Sequence, residues 1–142
     1  MFELRVNDRQ GRVLVVDDEA GVRKPIRQHL VKAGYEVVEA EDGDVAIKRL
    51  NEGENPLMVD TILCDVRMPK MNGADAIAYF RSQHPCVPIV VLTGYPDIDL
   101  ATSLLRQGVL DYLVKPVTMD RLLPVIKRAV DQHEILKNQF TT

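Results

Sequence analysis

The chain has 142 residues, 46% apolar and 27% charged, with a net charge of −3; that suits one globular domain with a real core. The weak acidity excludes an electrostatic footprint for DNA, RNA or an acidic membrane surface. No apolar run approaches the roughly 18–20 residues of a membrane span, and residues 1–11 alternate charged and apolar residues unlike a signal peptide.

The first apolar run, residues 12–16, reads as a buried strand and ends in Asp17, Asp18 and Glu19. A helix is expected over 20–33, because Val22, Ile26 and Leu30 recur at helical spacing and Gly34 suits its C-terminal cap. Residues 36–40 are a shorter, more polar strand, expected at a sheet edge. Asp42 can cap a second helix carrying Val45, Ala46, Ile47 and Leu50. Residues 61–64 form a third strand ending in Asp65, and Asn72 can cap a third helix through Ile77 and Phe80. The fourth strand, 88–92, ends in Thr93 and Gly94, and a fourth helix over 97–107 stops at Gly108. The fifth strand, 112–114, ends in Lys115 and Pro116, and Thr118 can cap a last helix running toward residue 138. Pro25 and Pro124 each fall about six residues into a helix, where the missing N–H should bend it. Cys64 and Cys86 show neither metal-type nor disulfide-type spacing and are expected as reduced thiols. The cytoplasm is the expected location.

The order is βα repeated five times, an α/β architecture of the (βα)5 kind with a parallel sheet and right-handed crossovers. The continuous apolar strands fit a sheet covered on both faces. A polar second strand at the edge fits the doubly wound five-stranded order 2-1-3-4-5, whose ligands bind beyond the carboxyl ends of strands 1 and 3. Asp17, Asp18 and Asp65 should converge there, with Thr93 and Lys115 flanking the crevice. Packed carboxylates repel unless a cation joins them, and a hard divalent ion, Mg²⁺ above all, is the natural partner. Lys115 offers a point charge for phosphate. A carboxylate can attack phosphorus and form an acyl phosphate, with positioned charge supplying most of the catalysis. Taken singly, these residues have ordinary readings: a solvated turn, a helix cap, a surface loop. Taken together, in order at successive strand ends, they point to phosphoryl transfer with Asp65 as acceptor.

Four stretches carry a family resemblance: Val-Leu-Val-Val-Asp-Asp-Glu at 13–19, Cys-Asp-Val-Arg-Met-Pro-Lys-Met-Asn-Gly at 64–73, Val-Val-Leu-Thr-Gly at 90–94, and Asp-Tyr-Leu-Val-Lys-Pro at 111–116. Over about residues 11–130 the chain resembles the receiver domain of bacterial two-component response regulators. The resemblance implies a flavodoxin-like fold and phosphotransfer from a histidine kinase to Asp65. It implies Mg²⁺ held directly by Asp18 and Asp65, through water by Asp17, and by the main-chain carbonyl of Arg67. Thr93 and Lys115 match the family's hydroxyl and lysine, and Tyr112 its aromatic switch; the passive reading of Tyr112 is sheet-edge packing. The Lys115–Pro116 bond is expected to be cis. Phosphorylation would change the face of the fourth helix, fifth strand and last helix (α4-β5-α5) and so control a downstream effector protein or domain. Arg67 and Tyr95, each two residues past a site residue, would tune phosphoryl lifetime. Beyond its own phosphorylation and dephosphorylation, such a chain is not an enzyme.

Residues 1–10 are read as an N-terminal extension and 131–142 as a helical extension or linker. Leu122, Ile126, Ala129, His133, Leu136 and Phe140 form a heptad-type seam; its bland reading is a tail that first covers the sheet. Its sharper one is a signalling linker or a homodimer element, the α4-β5-α5 face being the other homodimer surface. His29, His84 and His133 are expected at the surface. No P-loop or helix-turn-helix pattern follows residue 130, which leaves a single-domain regulator or the receiver of a longer protein. The main rival is an Mg²⁺-dependent phosphatase of the haloacid dehalogenase type, which normally carries its nucleophile after strand 1 with a second Asp two residues on; here Arg67 follows Asp65 at that spacing. A dinucleotide-binding domain would need glycines where Asp17 and Asp18 stand. A histidine phosphotransfer protein would need a helix bundle.

Overall fold

The computed structural model describes residues 10–66 and 73–141. Five parallel strands make one sheet: β1 (Gly11–Val16), β2 (Tyr35–Ala40), β3 (Thr61–Cys64), β4 (Ile89–Thr93) and β5 (Asp111–Val114). Their order is β2-β1-β3-β4-β5, the doubly wound arrangement expected. Five helices connect and follow them: α1 (Ala20–Lys32), α2 (Gly43–Leu50), α3 (Gly73–Gln83), α4 (Ile98–Arg106) and α5 (Met119–Thr141).

Alternation along the strands splits the core in two, because successive side chains point to opposite faces. Leu14, Val16, Ile62, Cys64 and Val91 pack with Ala46, Leu50, Ile77, Phe80 and Leu104, the side of α2, α3 and α4. Val13, Val15, Leu63, Val90 and Leu92 pack with Ile26, Leu30, Leu122, Ile126 and Ala129, the side of α1 and α5. Both faces are covered, which is why β1, β3 and β4 read as unbroken apolar runs.

Caps stop and start the helices where the sequence signals them. The Asp42 carboxylate accepts the Val45 amide at 2.8 Å, and that of Asp97 accepts the Leu100 amide at 3.1 Å. Gly34 follows α1 at φ 100°, a left-handed conformation that costs glycine little. At Thr118, the main-chain carbonyl accepts the amides of Arg121 and Leu122. Pro25 and Pro124 lie inside α1 and α5, and both helices run on past them. The expected cap Asn72, residues 1–9 and the side chain of Phe140 lie outside the description.

Two expectations change, and one short element was not anticipated. The edge strand β2 is as long as β1, six residues each, because its polar side chains are paired: Glu36 with Arg12, and Glu39 with Arg23 and Arg27. A single helical turn, Asn55–Met58, precedes β3 with Pro56 at its start, a position where a missing N–H costs nothing. His133 is not at the surface. It is buried, with Nδ1 2.8 Å from Asp60 Oδ1. The cause is length: α5 continues along the sheet past Val130 and meets Asp60 just before β3. His29 is exposed and His84 half-buried.

Candidate functional site

Strand register assembles the site. Val16 is paired with Cys64, so Asp17 and Asp65 leave neighbouring strands at the same level. Thr93 is paired with Val114, so Lys115 leaves β5 just beyond the Thr93 position. The Asp65 amide donates to the Val16 carbonyl at 2.9 Å, and the Lys115 amide to the Thr93 carbonyl at 2.7 Å. Those bonds extend the ladder one step and hold the chain ends together.

The side chains then meet. Lys115 Nζ lies 2.6 Å from Asp17 Oδ2 and 3.0 Å from Asp65 Oδ2. Asp17 and Asp65 are buried, Asp18 exposed. The Lys115–Pro116 peptide is cis. Burial alone would push the Lys115 ammonium down. Its hydrogen bonds to Asp17 and Asp65 outweigh that and hold its pKa above the usual lysine range. Cys64 lies behind the site, and burial pushes its thiol far up; both cysteines are free thiols.

Asp18, Glu19, Asp65, Gly94, Tyr95 and Lys115 line an open crevice of about 450 Å³. Gly94 is exposed and a Cβ there would meet only Lys115 Cδ, at 3.8 Å, so the crevice mouth is wide. Thr93 is fully buried at the end of β4, its hydroxyl oxygen accepting the Tyr95 amide at 3.1 Å. Tyr112 stands apart from the acids. Half-buried on β5, it accepts the Asp97 amide at 3.3 Å with its hydroxyl, which ties β5 to the start of α4. Arg67 lies outside the described residues.

The donor set can be tested for a cation. Asp17, Asp18 and Glu19 offer carboxylate oxygens within 4.8 Å of one another, and Asp65 joins Asp17 through Lys115. One lysine cannot balance this many carboxylates. All the donors are hard oxygens, which fits a hard divalent ion and no soft metal.

Sequence reasoning missed Arg23 and Glu39. The Arg23 Nη1 donates to the Asp17 carbonyl at 2.7 Å and its Nε to Glu39 at 3.1 Å. An arginine six residues past the first acid of a strand-end pair is the signal that was there. It also missed Asp60, which nothing local marks. A second groove, about 740 Å³ and mostly apolar, runs beside the acids between α1 and the segment from Lys115 to Met119. It touches the acid crevice only through Glu19 and Lys115. No helix among the described residues is long and apolar enough to cross a membrane.

Comparison with known proteins gives a consistent picture. The family pattern described as "Response regulator receiver domain" matches residues 13–127. The chain is 33% identical over 124 residues to the DNA-binding transcriptional regulator NtrC of Proteus hauseri, covering 87% of this chain and 25% of that protein. A response regulator receiver domain protein from Clostridium thermocellum superposes with a TM-score of 0.82 at 30% identity, covering 89% of this chain and 98% of that one. NtrX from Brucella abortus superposes with a TM-score of 0.82 at 29% identity, covering 93% of this chain and 29% of that one. The chain spans about a quarter of the length of the curated relatives it matches.

Proposed function

Because this chain belongs to the response regulator receiver domain family, we propose that it is a phosphorylation switch whose acceptor is Asp65. The observation that carries this is Lys115 Nζ bridging Asp17 and Asp65 at 2.6 and 3.0 Å. A half-buried lysine placed there is already where a phosphoryl oxygen on Asp65 would need a positive charge.

In this reading an Asp65 carboxylate oxygen attacks the phosphorus of a histidine kinase's phosphohistidine. The new P–O bond forms as the P–N bond breaks, and the electron pair leaves with the imidazole. Asp18 and Asp65 would hold Mg²⁺ directly, Asp17 through water, and the Arg67 carbonyl would complete the set. The ion would neutralise charge on the transferring group. Lys115 then leaves its two carboxylates to hold the product's oxygens, and Thr93 supplies a hydroxyl donor. Movement of Thr93 toward phosphate would draw Tyr112 from the Asp97 amide and alter the α4-β5-α5 face. The wide mouth at Gly94 gives a donor protein access. We read residues 11–130 as the receiver and 131–142 as a linker toward an effector, with a homodimer through α5 or the α4-β5-α5 face as one way to transmit the signal. No nucleic acid is bound directly, and the cytoplasm is the setting.

Incubation with acetyl phosphate and Mg²⁺ tests the reading. Wild-type chain should take up one base-labile, hydroxylamine-sensitive phosphoryl group, and Asp65→Asn none. Labelling of Asp65→Asn like wild type would move the nucleophile elsewhere, and steady-state phosphate release from small monoesters would favour the haloacid dehalogenase alternative. Tyr95 lines the crevice mouth and Arg67 follows Asp65. Tyr95→Ala and Arg67→Ala should therefore change phosphoryl lifetime while leaving labelling intact, as read from decay of the radiolabelled protein.

A further inference from the structure

Every polar atom of Asp17 is held. Its amide donates to the Ala40 carbonyl at 3.1 Å, Oδ1 accepts the Glu19 amide at 2.9 Å, and Oδ2 meets Lys115. Its carbonyl accepts Arg23 Nη1 at 2.7 Å. That last bond matters most for Asp18, which is exposed. The Asp17–Asp18 peptide is planar, so fixing its carbonyl fixes the Asp18 nitrogen and the direction in which Asp18 starts.

The clamp is itself braced. Arg23 sits one turn into α1, and helical side chains lean toward the helix N-terminus, which carries it back over the turn that holds the acids. Its Nε is paired with Glu39 at 3.1 Å, with side chains only 14% and 17% exposed. Arg27 pairs with the other Glu39 oxygen at 2.8 Å. The Arg27 hydrogen bond, and against burial the Arg23 one, keep the Glu39 carboxyl below the usual range.

We propose that Arg23 is a positioning residue for the cation-holding acids, setting the Asp17–Asp18 peptide so that the Asp17 carboxylate meets Lys115 and Asp18 stands at the crevice. The inference rests on the receiver reading above and assigns that site a further residue. Two effects of Arg23 oppose each other. As a cation near a metal site it should repel Mg²⁺, so its charge alone predicts tighter binding when it is removed. As a clamp it predicts weaker binding. Glu39 lies against the guanidinium and offsets its field, so the clamp should win.

The test is Mg²⁺ titration of the full chain, followed by backbone amide NMR shifts. Removing a charged hydrogen bond from the turn should weaken Mg²⁺ binding about tenfold in Arg23→Ala. Arg23→Lys keeps the charge but lacks the planar fork that reaches both Asp17 and Glu39, and should weaken it about threefold. Arg23→Lys should also shift the Asp18 and Glu19 amide signals before any metal is added. Arg27→Ala touches Glu39 but not Asp17 and should bind like wild type. Unchanged or tighter Mg²⁺ binding in both Arg23 variants overturns the inference. If Arg23→Ala does not fold, Arg23→Lys alone decides. A wild-type chain with no saturable Mg²⁺ shift at Asp17, Asp18 and Asp65 refutes instead the proposed Mg²⁺-dependent switch on which the inference rests.

Discussion

Lys115 shows how one side chain can matter both to stability and, in the proposed switch, to chemistry. Between Asp17 and Asp65 it cancels part of a repulsion that β1 and β3 create by ending side by side. Lys115→Ala leaves those buried carboxylates facing each other, so the variant should bind Mg²⁺ at least as tightly as wild type. Yet it should label poorly from acetyl phosphate or fail to switch, a split read by titration on one side and by labelling and NMR on the other. The pH dependence has a definite sign. The folded pKa is raised above the ordinary 10.5. The lysine's contribution is therefore complete below about pH 10.5 and is lost as pH climbs through the raised value. Arg23 works at one remove, through a carbonyl, and is invisible to any search for acids and lysines.

Among the elements, α5 departs from expectation at His133. Leu122, Ile126 and Ala129 of its seam are buried on the sheet, and His133 closes the seam on Asp60. The helix spends those four positions on its own domain. What it presents outward includes Ile135, 60% exposed. Asp60 is also held by the Arg12 amide at 2.9 Å from its Oδ2, so each carboxylate oxygen has a partner. His133→Ala would strip one of them from a nearly buried carboxylate, at a cost of about 1–3 kcal/mol. The loss should concentrate at the helix end. Amide exchange over residues 131–139 should quicken while Asp65 labelling stays at the wild-type rate, because Asp60 lies at the opposite end of β3 from Asp65. Equal protection in both proteins would show that the pair does not anchor α5.

For the molecule as a whole, the doubly wound sheet concentrates like charge at one pole. α1 and α5 cover one face and α2, α3 and α4 the other, which leaves the strand ends as the open ground where Asp17, Asp18 and Asp65 gather. A fold carrying such a pole should be stabilised by the cation that neutralises it. Ligand at 100 times its dissociation constant adds about 2.7 kcal/mol to unfolding. Millimolar Mg²⁺ should therefore raise the thermal midpoint and chelator should return it, whereas equal ionic strength of sodium chloride should not reproduce the gain. The Asp65→Asn variant should lose most of that response.

The strands, the helix order and the strand-end positions of the candidate site residues were legible because each is a local pattern. Apolar runs mark β1, β3 and β4, the cap Asp42 marks a helix start, and Asp17, Asp18, Asp65, Thr93 and Lys115 each stand at the end of a run. The doubly wound order followed from βα alternation and the polarity of β2, since only an edge strand keeps that many charges paired at low cost. Distances were not legible. The 2.6 and 3.0 Å contacts of Lys115 depend on the register of β1 on β3 and of β4 on β5, set by packing on both faces. The Arg23 clamp joins residues six apart through a helix start, and the Asp60–His133 pair joins residues 73 apart in sequence. Residue type and spacing carry the chemistry of a site because they are written along the chain. Which charges touch across strands, and which histidine is buried, is decided only when distant segments pack and exclude water.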